Sequence, residues 1–151
     1  MGVTERFVSR NPETVMDTQT KLMWCRTDSM NDLKKWVNYP DSADYVRGLN
    51  EKRFAGFDDW RLPTQAEMQT LYDEALVCKD QFAKDIHISP VFHEGGGFSM
   101  IARLVDGRFR TWVLNLRDGQ LTQPDGLWTL SESARAVRTL KPEEIAQLQA
   151  D

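Results

Sequence analysis

The sequence predicts an α+β fold: strands, two helices, strands again, and a short helix at the C-terminal end. Three observations carry this. Short extended runs punctuated by turn residues fill the first 25 positions and recur from position 98 onward. Between them, apolar residues return at helical spacing in two stretches, the second behind a capping-box signal. Asp106-Gly107 then stands between two strand-like runs, 98–105 and 108–116, and this dipeptide suits the two positive-φ positions of a tight hairpin turn. With 151 residues the chain has the size of one domain, able to bury roughly 68–70% of its unfolded surface. The organisation expected is one domain over residues 1–140 and a helical tail over 141–151.

In chain order, Arg6-Phe7-Val8-Ser9 alternates, Asn11-Pro12 interrupts it, and Thr14-Val15-Met16 resumes an extended pattern. Asp17-Thr18-Gln19-Thr20 reads as a turn because Asp bonds the backbone just ahead of it. Leu22-Met23-Trp24-Cys25 is a short apolar strand expected to pair back on the first. Asp41 or Ser42 is expected to cap a helix running to about Lys52, with Ala43, Tyr45, Val46 and Leu49 on its inner face. Thr64, followed three residues later by Glu67, forms a capping box that opens a helix to about Cys78, striped by Met68, Leu71, Tyr72 and Ala75. Arg117-Asp118-Gly119-Gln120 marks a turn, and 128–130 and 134–139 are expected as the last strands. Beyond Lys141, Pro142 suits a first helical turn, Glu143 and Glu144 suit its dipole, and Ile145 and Leu148 supply a thin apolar stripe.

Hydrophobic residues make up 40% of the chain, with five Trp and seven Phe. That is ample material for a core and excludes a disordered chain. A net charge of −4 disfavours generic nucleic-acid binding. The charge is uneven: residues 103–138 carry six Arg against four acids, whereas 11–80 carry nine bases against thirteen acids. No apolar run approaches the roughly 20 residues of a membrane span, and MGVTERFVSR lacks the apolar stretch of a signal peptide. As written, the chain is expected in the cytoplasm, or in the periplasm or outside the cell if a leader was removed. Cys25 and Cys78 follow no metal or redox spacing and are expected as two reduced thiols.

Several segments resemble the Lcl C-terminal domain family. The family's Arg-Phe strand and Thr-Val-x-Asp-x-x-Thr-Gly-Leu-Met-Trp stretch are matched by Arg6-Phe7 and by the run from Thr14 to Trp24, with Lys21 in place of Gly. Its most specific mark stands complete as Asp59-Trp60-Arg61-Leu62-Pro63-Thr64, with Glu67 on the helix that follows. Ala134-Arg135-Ala136-Val137-Arg138 approximates the closing strand. The family's Trp-Ser-Ser-like segment is missing, and Gly97-Phe98-Ser99-Met100 stands in its place. The resemblance implies a C-type-lectin-like fold, in which two helices brace a small twisted antiparallel sheet with long loops. A Lys forced into a positive φ at Lys21 would cost roughly 1–2 kcal/mol, so the turn there is expected to differ from the family's.

Relatives of that fold that generate formylglycine use a late cysteine pair, and this chain has no Cys after Cys78. His87 and His93 have no metal-binding spacing, and the Glu-Pro-Asn and Trp-Asn-Asp motifs of calcium-dependent sugar capture do not occur. No metal and no cofactor is therefore expected. Asp59 and Arg61 are read as hydrogen-bonding each other, and Trp24 and Trp60 as core. The candidate binding residues are Arg103, Arg108, Arg110 and Trp112 on the hairpin and Trp128 beyond it, since arginine forks beside an aromatic suit anions and protein hot spots. The plain alternative is a charge-blunted edge strand. Gly95-Gly96-Gly97 is read as a flexible loop or a close backbone approach to a ligand. The function expected is a non-catalytic recognition module that contacts another protein as an accessory subunit. The alternative partner is an anionic glycan outside the cell; neither nucleic acid nor membrane insertion is expected.

Overall fold

The computed structural model of the chain describes residues 6–105, 110–124 and 126–150. It is α+β. Strands β1 (Phe7–Asn11), β2 (Thr14–Asp17) and β3 (Leu22–Cys25) are followed by helices α1 (Ser29–Leu33), α2 (Tyr39–Glu51) and α3 (Gln65–Gln69). Then come β4 (Cys78–Lys79), β5 (Asp85–Ile86), β6 (Ser99–Leu104), β7 (Thr111–Asn115), β8 (Leu121–Thr122), β9 (Val137–Thr139) and α4 (Pro142–Ala150). All sheets are antiparallel: β1-β2-β3-β9, β6-β7-β8 and the small pair β4-β5. The third strand pairs with β2 and β9 rather than with β1, so the chain's last strand closes onto its early hairpin, aligning Trp24 with Val137 and Met23 with Arg138. Ser133 bonds Ser99 and Ile101, joining the approach to β9 to the three-stranded sheet.

Two apolar clusters lie on opposite faces of these strands. Leu22 and Trp24 enter one, Met23 and Cys25 the other; Val15 and Met16 divide in the same way, as do Met100 and Ile101. A strand covered on both faces is apolar at consecutive positions, which is why Leu22-Met23-Trp24-Cys25 shows no alternation.

Local chemistry sets the turns. Asn11 Oδ1 accepts from the Glu13 and Thr14 amides, and Asp17 Oδ1 from the Gln19 and Thr20 amides. Lys21 has a φ of 60°, the left-handed conformation that a Lys in place of Gly was expected to disfavour, and its Nζ donates to the Thr18 carbonyl at 2.6 Å.

Several boundaries differ from those expected. Helix α2 begins earlier, at Tyr39, because Asn38 rather than Asp41 or Ser42 provides the cap, accepting from the Asp41 amide at 2.9 Å. Its buried face is Ser42, Val46 and Leu49, and Ala43 is exposed. Helix α3 ends at Gln69 instead of near Cys78. The Asp73 amide donates to the His87 carbonyl and the Asp73 side chain accepts from Ala75, diverting the chain from helix. Leu71 is still buried and Tyr72 half-buried, but Ala75 is exposed. Residues 128–130 form a turn rather than a strand. Strands β6 and β7 pair as an antiparallel hairpin, whereas its turn at Asp106-Gly107 lies outside the described residues. Helix α4 stands where expected, with Ile145 against the second cluster; the side chain of Leu148 lies outside the description. No helix among the described residues is long and apolar enough to cross a membrane.

Candidate functional site

The six-residue signature Asp59–Thr64 forms a closed structural corner. Thr64 Oγ1 accepts from the Glu67 amide at 3.1 Å while Glu67 Oε1 accepts from the Thr64 amide at 2.9 Å. Both carboxylate oxygens of Glu67 also receive the Arg61 fork, at 2.7 and 2.8 Å. Burial works against ionisation of Glu67, but the Arg61 fork and the Thr64 amide outweigh it and hold the carboxyl below its usual range. Trp60 is buried, its backbone clasped by Asn50 and its indole N–H donating to the Phe54 carbonyl at 3.0 Å. Leu62 and Pro63 are buried as well.

Asp59 does not bond Arg61 as expected. Its partner is Arg138 on β9, at 2.6 and 3.2 Å, and the same guanidinium holds Glu144 of α4 at 2.7 and 2.9 Å. Arg138 is 1% exposed and lies 3.8 Å from the centre of the Phe57 ring. It thus pins the signature, the last strand and the C-terminal helix together. Trp24 is fully buried, its indole N–H without a partner among the described residues. These contacts tie the signature residues into the fold, and Trp24 lies in its core.

The hairpin expected to carry the binding residues is only partly assembled as foreseen. Arg103 is exposed, and its backbone amide donates to the Pro63 carbonyl. With Trp112, Thr64 and Gln65 it lines a small cavity of about 210 Å³, so the hairpin adjoins the signature. Trp112 is half-buried against the first apolar cluster, Arg110 is exposed, and Arg108 lies outside the described residues. Trp128 is 68% exposed and belongs to another part of the surface, where its carbonyl accepts from Asn38 at the start of α2.

A more developed concavity, of about 390 Å³, lies beside α1, lined by Met30, Lys34, Lys35, Trp36, Gln81 and Phe82, with Gly95. Two rigid supports shape it. On one side, Asp28 caps α1 through the Asn31 amide at 2.9 Å and accepts from the Gly97 amide at 2.8 Å with its other oxygen. Helix α1 ends at Lys34, whose φ of 61° turns the chain out. Three residues on, Val37 is locked to Glu132 by a pair of backbone bonds. The segment 34–36 is therefore stretched between two fixed points. Trp36 leans edge-on against Phe98, ring centres 5.2 Å apart.

On the other side, the tight connection between β4 and β5 is organised by Asp80, which accepts from the Phe82 and Lys84 amides at 2.8 and 3.0 Å. Arg117 clamps its second oxygen at 3.0 and 2.7 Å. This lifts Phe82 to 60% exposure. Gln81 lines the same groove with both amide atoms buried and unpartnered among the described residues. Neither Lys34 nor Lys35 has an ion-pair partner there.

The glycine run is close-packed, not a flexible loop. A Cβ on Gly97 would stand 2.5 Å from Ser133, and one on Gly96 would stand 2.8 Å from Asp28 Oδ2. Sequence reasoning missed this groove; its signals were Lys34-Lys35-Trp36 and a lone aromatic, Phe82, in a polar stretch.

Both cysteines are free and buried, and burial pushes both thiols up, away from the reactive thiolate. His87 Nδ1 shares a hydrogen bond with the Leu76 carbonyl at 2.8 Å, and His93 is exposed. Among the described residues no three His, Cys, Asp or Glu side chains converge as a metal site.

A family model for the Lcl C-terminal domain matches residues 13–138, and the chain belongs to that family. No curated protein and no solved structure matches it.

Proposed function

We propose that this member of the Lcl C-terminal domain family, with the C-type-lectin-like arrangement its family implies, is a non-catalytic recognition module that acts as an accessory subunit. Its partner is a protein, held by an acidic segment with an apolar anchor in the groove beside α1. The observation that carries this is the meeting of Phe82 and Trp36 with two unpaired lysines and an unpartnered amide. An exposed aromatic beside Met30 favours an apolar side chain, and the lysines select carboxylates around it. The Gln81 amide offers one donor and one acceptor, matching a peptide group, and pairing would relieve the roughly 1–3 kcal/mol cost of burying each unsatisfied atom. A sulfated glycan would satisfy the lysines but brings no apolar group for Phe82. The buried thiols, both shifted away from thiolate, support a role without nucleophilic chemistry.

A displayed peptide library selected against the full chain tests this. Acidic sequences bearing one aromatic or aliphatic residue are expected. The winning peptide should bind about tenfold more weakly to Phe82→Ala and to the Lys34→Ala/Lys35→Ala double variant. Selection without an acidic and apolar pattern would overturn the reading. So would heparin fragments that displace the peptide and bind Phe82→Ala as well as the parent, an outcome that favours the glycan.

A further inference from the structure

Phe98, the partner of Trp36 in the ring pair, lines a further cavity, of about 240 Å³, that the proposed function does not use. Its polar lining comes from four stretches: Ser99 on β6, Asn115 on β7, Gln120 and Thr122 around β8, and Ser131 and Glu132 ahead of β9. We propose that this cavity binds an organic cation, an ammonium group such as a lysine side chain or a free primary amine presents.

The argument starts at Glu132. Its backbone is fixed by the two bonds to Val37, which sets the position from which the side chain enters the cavity. The side chain is half-buried, and its one side-chain partner among the described residues is the Ser99 hydroxyl, which donates to Oε2. No Lys or Arg among the described residues pairs with it. Arg117 stacks 4.0 Å from the centre of the Phe98 ring, which lines this cavity, but is already engaged by Asp80. A partly buried carboxylate without a counter-charge is costly, because desolvation is uncompensated.

The neighbouring side chains, exposed at Gln120, Thr122 and Ser131, have acceptors to offer. Gln120, Thr122 and Ser131 make no side-chain hydrogen bond among the described residues, and Asn115 uses only its Oδ1, accepting from the Arg117 amide at 2.8 Å. Their oxygens are acceptors around an anionic centre. An ammonium group carries three donors and one positive charge, which matches one carboxylate oxygen and two neutral acceptors. A metal ion is a poorer match, since only one carboxylate is present. A neutral polyol would fill the acceptors but leave the charge uncompensated. Burial raises the Glu132 pKa, opposed by the Ser99 hydroxyl, and every other lining side chain is neutral. Proton and ligand therefore compete for one group.

The test uses the full chain with Glu side-chain carboxyls labelled with carbon-13. Titration with n-butylamine, Nα-acetyl-lysine amide and 1-butanol follows the Glu132 resonance. Both amines should shift it and the alcohol should not. Tighter binding of the lysine derivative would assign the cation to a protein side chain, and equal binding to a free amine. Glu132→Gln should weaken amine binding about tenfold. In the parent chain, saturating amine should lower the midpoint at which Glu132 titrates, since a bound cation favours the charged form; this arm needs no variant to fold. An unmoved midpoint, an alcohol that binds as well as the amines, or undiminished binding to Glu132→Gln would each overturn the proposal. This cavity is independent of the groove, whose peptide selection is read with Glu132 intact.

Discussion

The corner around Arg138 and the surfaces that Trp36 and Phe98 line use polar groups in opposite ways. At the corner, each charge meets its complement: Arg61 with Glu67, Arg138 with Asp59 and Glu144, and the Thr64 hydroxyl with a helix amide. Around the ring pair, Lys34, Lys35 and Glu132 have no ion-pair partner, and the Gln81 side-chain amide has no hydrogen-bond partner, among the described residues. Unsatisfied groups of this kind cost stability in the free chain, whereas satisfied ones fix geometry. The difference teaches that the signature identifying the family is its scaffold, and that recognition is expected where polar groups were left incomplete.

The largest effect should come from breaking the complete side. Arg138→Ala removes the cation between two carboxylates and unties β9 from α4. Losing one partner of a buried ion pair costs about 3–5 kcal/mol, and the exposure of Asp59 to water puts this case near the lower end. Thermal unfolding should fall by about 6–12 °C. A melting curve that moves by less than a degree would mean that the corner does not hold the fold together.

How far each region was legible in the sequence follows from the separation of its parts. The Thr64–Glu67 box spans three positions, and its geometry is dictated locally, so sequence reading places it correctly. Asp59 is different. Sequence proximity suggests Arg61, but the actual partner is 79 residues away on a strand that reaches it only after the sheet closes. The glycine run misled for the same reason: its tightness comes from Asp28, 69 residues earlier, and from Ser133. Helix α3 stops short because of a long-range bond from Asp73 to His87 that no periodicity encodes. The groove lay furthest from view, since Lys34-Lys35-Trp36 acquires meaning only when Asp80 and Arg117 raise Phe82 opposite it.

Acid should act on the same corner next. Arg138 hydrogen bonds hold Asp59 and Glu144 below their ordinary values of 3.8 and 4.5. A carboxyl with a lower pKa folded than unfolded contributes stability that is full above its unfolded value and is lost as pH falls through the folded one. Denaturant midpoints should thus be flat at neutral pH and decline below about pH 4.5. The decline should be shallower in Arg138→Met, which fills the site without the charge. Identical acid slopes in the two proteins would show that the corner's charges are not thermodynamically coupled to folding.

The smallest effect belongs to the incomplete side, and its smallness sharpens the comparison. Lys34 and Lys35 are exposed and without ion-pair partners among the described residues, so truncating both removes no folded-state bond. Lys34 does carry a positive φ at the end of α1, but Ala is no easier there than Lys, so the backbone cost cancels. The Lys34→Ala/Lys35→Ala variant should therefore unfold within about 0.5 kcal/mol of the parent, while losing affinity for an acidic peptide. A loss of stability comparable to that of Arg138→Ala would place the lysines in the scaffold and erase the distinction between the two regions. Unchanged stability with weakened binding would place their contribution on the partner's side of the surface, where the missing charges are to be found.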